Sequence, residues 1–296
     1  MKTLIVEIIE PNRLGELMTA SRKFCDQPDI VAIGTGDIPG SYHVAYQTQE
    51  CIGANLTAAL GDLIKTNGYE IVLMSATTLG ASIAGPLAIL LSASIITEAT
   101  GITDDSMIER PIYGGKAVAR YKADTWPLIL TIRRKYFEKD PLNGQTSSIP
   151  LPVSAGPVKL VTEKIEKAEG VPLEDAEVIV TGGRGMGGAE NFSMLKDMAG
   201  YFPKGAVGAS RGAVDEGWVS PSLQIGQTGK IVAPSVYFAI GVSGASQHLA
   251  GIANAKCVVA INKDEEANIF KRARFGLVCD YKNVIPEIVR ALREES

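Results

Sequence analysis

Short, unbroken runs of β-branched and aliphatic residues recur along this chain, and most run into glycine or serine and then a helical pattern. TLIVEII, DIVAIG, EIVLMSA, VIVTGG, VYFAIG and KCVVAIN are the clearest of them. A strand that is apolar on both faces is covered on both faces, which is the situation of a parallel sheet sandwiched between helices. The alternation therefore predicts an α/β fold. A length of 296 residues exceeds one ordinary core and fits two domains, each a mainly parallel sheet flanked by helices. The charged, Gly- and Pro-containing segment Glu166–Ala176 is the best boundary, giving domains 1–170 and 171–296.

Helical spacing covers Asn12–Phe24, Ala45–Lys65, Thr78–Ser92 and Val284–Arg293. From Arg110 the pattern changes: PIYGGKAVARYKA, WPLILTIRRKYF and GPVKLVTEKI read as antiparallel strands, and Glu138–Pro150 as a loop. Residues Ile71–Thr97 carry no charge, yet SATT, Gly80 and Gly85-Pro86 interrupt them. They read as a buried strand, a turn and a buried helix rather than a bilayer span.

A net charge of −4 leaves no basic excess to neutralise phosphates, which argues against a nucleic-acid partner. Cys25, Cys51, Cys257 and Cys279 are widely spaced, without CxxC or a nearby His pair. They read as buried reduced thiols of a cytoplasmic protein, and no metal site is expected.

The chemistry concentrates in the second domain. Val178–Val180 leads into Gly183-x-Gly185-x-x-Gly188, the context of a dinucleotide-binding turn in a Rossmann-like domain. A ribose-binding acid about 20 positions later is missing, so an ordinary NAD site does not follow. Arg184 in that turn can meet a phosphate or stack on a ring. GASRG sets Ser210 and Arg211 after a short strand, and IGQTG brackets Gln227 and Thr228 between glycines. SGASQHLAG places Gln247 and His248 in the first turn of a helix. Asn262 and Asp280 end two further strands. Each motif alone is equally a turn or a cap. Together they gather at strand C-termini, where such sheets bind ligands.

In this order GGRG, GASR, GQTGKIVAP, Ser243–Gly251, VAINKD and ANIF resemble the electron transfer flavoprotein α subunit, over Ala176–Ile288. RPIYGGKAVA and LILTIR of the first domain are similar to the family as well, whereas GASIAGPLA lacks the charges usual after SATT. The resemblance implies an FAD held mainly by the second domain and a heterodimer with a β subunit, the first domain pairing with it. By motif, Arg184, Ser243, Gly244, Ala245 and Ser246 would hold the pyrophosphate. Asn262, Asp280 and Tyr281 would serve the adenosine half. Ser210, Arg211, Ile225, Gly226, Gln227, Thr228, Gln247 and His248 would surround the ring and ribityl chain. Arg211, Thr228 and a protonated His248 would tune the flavin where it becomes negative. The implied role is an electron carrier rather than a self-contained enzyme. It would take electrons from dehydrogenases to a quinone- or ferredoxin-linked acceptor, with any membrane contact made through partners. Whether a second flavin or AMP in the β subunit makes the complex bifurcating stays open. The rival readings are an NAD-dependent oxidoreductase and a nucleotide-binding subunit without redox activity.

Overall fold

A computed structural model describes residues 1–115, 117–162 and 170–295. The chain divides into two compact units, Met1–Glu163 and Lys164–Ser296. The first part of the expected boundary segment, 166–169, lies outside the described residues. Its second part belongs to the C-terminal unit, where Leu173 and Ala176 are buried in the core beside Ile179 and Tyr237.

The N-terminal unit contains β1 (Thr3–Ile8), α1 (Pro11–Ser21), β2 (Asp29–Ile33), β3 (Ile38–Pro39), β4 (Ala45–Thr48), α2 (Gly53–Asn67), β5 (Ile71–Ser75) and α3 (Thr78–Leu91). It continues with β6 (Ser94–Ala99), β7 (Gly101–Ile102), β8 (Ile108–Ile112), β9 (Ala117–Tyr121), β10 (Leu128–Ile132), β11 (Gln145–Thr146) and β12 (Ser148–Pro150). The main sheet is parallel, in the order β12-β4-β2-β1-β5-β10-β6. Helices on its two sides explain why β1, β2 and β5 are buried almost throughout. The uncharged stretch resolves into β5, α3 and the start of β6, and no helix among the described residues is long and apolar enough to cross a membrane.

Five sequence expectations change here. Ala45–Thr48 is a strand, and the helix begins only at Gly53; AYQT pairs with β2 and β12, so partners outweigh local helical spacing. LILTI is an interior parallel strand rather than an antiparallel one, because all five residues are buried between β5 and β6. Only β7-β8-β9 forms the expected antiparallel set. The expected loop 138–150 contributes β11 and β12, while 156–162 forms no strand. The four cysteines are free thiols; Cys51 is exposed and the others half-buried, so none is a core residue.

Buried charge ties the first unit together. Glu7, almost fully buried, accepts from the Ser75 amide at 2.9 Å and so links the ends of β1 and β5. Asp29 accepts from the Val44 amide at 3.0 Å and from the Tyr69 hydroxyl. Buried carboxylates of this kind persist only when such donors surround them.

The C-terminal unit contains β13 (Val178–Gly182), α4 (Phe192–Gly200), β14 (Gly205–Ala209), α5 (Arg211–Asp215), β15 (Val236–Ile240), α6 (Ser246–Gly251), β16 (Cys257–Asn262), β17 (Phe275–Val278) and α7 (Tyr281–Glu295). All five strands are parallel, in the order β14-β13-β15-β16-β17. This is the doubly wound arrangement in which direction reverses between the first and third strands, here β13 and β15. The crevice at that reversal is the expected ligand position.

Two loops meet there with almost no room between them. A Cβ on Gly183 would lie 2.1 Å from the Gly241 carbonyl oxygen, and one on Gly241 would lie 2.8 Å from the Gly185 carbonyl carbon. Gly241 also has φ +62°, where other residues are strained. Gly183→Ala should therefore cost the C-terminal unit about 1–3 kcal/mol, read as a lower urea midpoint for that unit. An unchanged midpoint would contradict the close crossing.

Candidate functional site

The loops that follow β13, β14 and β15 and the end of β16 surround a cavity of about 530 Å³. That lies within the usual range for small-molecule sites, about 300–1,000 Å³. Its floor is the crossing of the Gly183–Gly188 turn over the Gly241 turn. The Gly183 amide donates to the Ile240 carbonyl at 2.8 Å and the Gly185 amide to the Gly241 carbonyl at 3.0 Å. The dinucleotide-like glycines thus serve mainly to bring two backbones together, leaving Arg184 exposed at the cavity wall.

Ser210 follows β14 and caps α5, its hydroxyl accepting from the Ala213 amide at 3.4 Å. Arg211 is therefore the first residue of that short helix and lines the cavity. Its guanidinium is largely exposed and pairs with Asp215 at 3.2 Å. An exposed i,i+4 pair contributes little and leaves the arginine able to exchange partners.

The IGQTG turn forms the opposite wall. Ile225 donates its amide to the Ala209 carbonyl at 2.9 Å, and Gln227 donates its amide to the Gln247 carbonyl at 2.8 Å. These bonds fix the turn against both β14 and α6. Thr228 Oγ1 accepts from Gln224 Nε2 at 3.0 Å.

His248 lines the cavity from the first turn of α6 but is almost completely buried. Its Nε2 lies 2.9 Å from the hydroxyl of Tyr237, itself fully buried in β15. Nδ1 is buried without a hydrogen-bond partner. Burial pushes the imidazole pKa down to about 4, with only a small opposing effect from the Ile225 backbone. Desolvation therefore disfavours the protonated form of His248 in this structure. Arg184 and Arg211 are the cationic side chains that line the cavity.

Asn262 closes the remaining side. Its amide donates to the Val242 carbonyl at 3.0 Å and its oxygen accepts from the Asp264 amide at 3.1 Å, tying β16 to the β15 loop.

The lining therefore brings together Arg184, Ser210, Arg211, Ile225, Gly226, Gln227, Thr228, Ser243, Ala245, Gln247, His248 and Asn262. Gly244, Ser246, Asp280 and Tyr281 are not among the lining residues. Gly244 packs so closely on Ile269 that a Cβ would lie 2.2 Å from its amide nitrogen. Ser246 is exposed and its hydroxyl meets the Gln247 side chain at 3.3 Å. Asp280 pairs with Lys263 at 2.9 Å and caps the start of α7, which holds its carboxyl below the usual range. Tyr281 is buried and donates its hydroxyl to the Met186 carbonyl at 2.7 Å, pinning α7 under the glycine turn. Sequence reasoning missed Gln224, Val242 and Asp264, which line the cavity as well. Asp264 lies within VAINKD and Gln224 directly precedes IGQTG, but only the fold brings them to the cavity.

The donor set fits FAD. The Arg184 guanidinium and exposed glycine backbone suit a pyrophosphate, and the Arg211 guanidinium suits a group that becomes negative. The amides, hydroxyls and the orphaned buried His248 nitrogen suit the polar edge of a planar ring, and Asn262 with Asp264 suits hydroxyl groups.

Comparison with known proteins agrees with this geometry. Residues 172–253 match the family model described as the electron transfer flavoprotein FAD-binding domain, and residues 22–177 match the electron transfer flavoprotein domain. The mitochondrial electron transfer flavoprotein subunit alpha of Dictyostelium discoideum is 43% identical over 230 residues, which span 74% of this chain but 64% of that protein. The subunit alpha of Pseudomonas aeruginosa is 40% identical over 251 residues, 84% of this chain and 79% of the relative. That of Paracoccus denitrificans is 38% identical over 226 residues, 76% and 73%. The chain belongs to the electron transfer flavoprotein α-subunit family, and residues 172–253 of its C-terminal unit match that family's FAD-binding domain.

Proposed function

We propose that this chain is the larger half of a flavin electron carrier. It binds FAD in the C-terminal cavity and pairs with a β subunit through its N-terminal unit. It carries electrons from a dehydrogenase to a quinone- or ferredoxin-linked acceptor. The observation that supports this most is the cavity at the β13/β15 reversal, where Arg184 and Arg211 stand among glycine turns and amide donors. FAD, when bound, supplies the one- and two-electron redox chemistry; the chain supplies position and electrostatics.

Each residue then has a physical task. The Gly183–Gly188 turn and Arg184 would hold the phosphates. Thr228 and Gln227 donate to the ring edge from a turn fixed at both ends. Arg211 brings a permanent positive charge to the place where electrons arrive. A preorganised cation in a partly desolvated cavity favours the negatively charged form there. A dinucleotide hydride carrier is disfavoured, since the end of β14 carries Ser210 and Arg211 where a ribose-binding acid would stand.

Three outcomes test this reading. Co-expressed with a β subunit, the protein should purify yellow with FAD in its C-terminal unit; a colourless complex after reconstitution with FAD would sink the proposal. Arg211→Ala should lower the first one-electron potential by tens of millivolts, about 60 mV being a tenfold change in that equilibrium. An unmoved potential would remove Arg211 from the charge-stabilising role. The third outcome concerns His248, whose ring takes a proton near pH 6.5 when unfolded and only near about 4 when folded. The folded state therefore binds fewer protons in that interval. Its stability is full above pH 6.5 and falls by up to about 3 kcal/mol as pH drops towards 4. Thermal melts across this range should show a shallower decline for His248→Gln than for the wild type.

A further inference from the structure

The cavity's least exposed polar wall is not a single residue. His248 reaches it from α6, and Tyr237 stands behind His248 on β15, with its hydroxyl 2.9 Å from Nε2. Both side chains are buried, Tyr237 completely. Nothing in the proposed electron-carrier chemistry calls for a tyrosine there, and a phenylalanine would fill the same apolar core.

The proton positions follow from counting buried polar groups. Burial pushes the Tyr237 phenol far above its ordinary range, so it keeps its hydrogen and has a donor to place. The neighbouring Thr181 hydroxyl lies close enough to act on the Tyr237 oxygen but makes no hydrogen bond of good geometry. If Nε2 carried the imidazole proton, the Tyr237 hydrogen would have no acceptor and the Nδ1 lone pair would be buried unpaired. If Tyr237 donates to Nε2, one orphan remains, the Nδ1 hydrogen. Since an unpaired buried polar group is costly, the second arrangement wins.

We propose that Tyr237 is a positioning residue that donates to His248 Nε2, holding the imidazole neutral with its one proton on Nδ1. The cavity wall then offers an N–H donor without a net charge. Such a donor polarises a carbonyl edge of the bound ring and leaves charge compensation to Arg211. The exposed arginine responds to salt, while the buried pair does not. The inference rests on FAD occupying this cavity but concerns this chain's own protons.

The test is nitrogen-15 NMR of the heterodimer at pH 7, with only this chain labelled at histidine. The chain has two histidines, and the His248 pair of signals is the one lost in His248→Gln. FAD content is measured on the same sample. Absence of FAD would count against the functional reading and still leave the ring signals readable. The wild type should show a protonated Nδ1 and an unprotonated Nε2. Tyr237→Phe should lose that preference and show both tautomers. A protonated Nε2 in the wild type, or both nitrogens protonated, would overturn the proposal, as would an unchanged pattern in Tyr237→Phe. Where that variant fails to fold, the wild-type spectrum decides alone.

Discussion

Two backbones touch where the C-terminal sheet reverses direction, and the candidate site depends on that contact. Gly183 and Gly185 on one loop face Gly241 on the other with space for hydrogen only. Side chains there would pry β13 and β15 loops apart and open the cavity floor. The same contact leaves Arg184 exposed at the wall and aligns the β15 loop for the Asn262 amide to grip. Packing of this kind is stiff, because close-packed backbones have no rotamers with which to absorb a change. The cavity is thus set by sheet topology first, and chemistry is added to it by the loops.

The electrostatic design separates two duties. A charge free to meet solvent, Arg211, sits at the start of a one-turn helix beside Asp215. A second group, His248, lies buried with the Tyr237 hydroxyl at its Nε2, where desolvation disfavours charge. Placing a cation in the buried position would cost several kcal/mol of desolvation, while placing it in the exposed position costs little. The positive charge at the cavity is therefore carried by the exposed Arg184 and Arg211 rather than by the buried imidazole.

Much of this was legible in the sequence. Unbroken apolar runs gave the parallel sheets, because only strands covered on both faces read that way. Glycine-bracketed polar pairs marked the cavity, since IGQTG and GASRG offer polar groups with little side-chain packing of their own. What the sequence left out was partnership. AYQT reads as helix until β2 and β12 lie beside it, and LILTI gives no sign of which neighbours it will have. His248 reads as a cation because the sequence does not show the burial that disfavours its charged form. Tyr281 and Asp280 stand at a strand end and look ligand-directed. In the structure Tyr281 donates to the Met186 carbonyl and Asp280 meets Lys263 and the first turn of α7, contacts that the sequence does not announce.

The central claim is that FAD occupies the cavity formed by the loops after β13, β14, β15 and β16. Hydrogen–deuterium exchange of the heterodimer with and without FAD tests it most directly. The account predicts slower exchange on binding at residues 183–188, 208–212, 225–229 and 241–248, with little change in residues 1–162. Protection confined to the N-terminal unit, or none in those four loops, would contradict it.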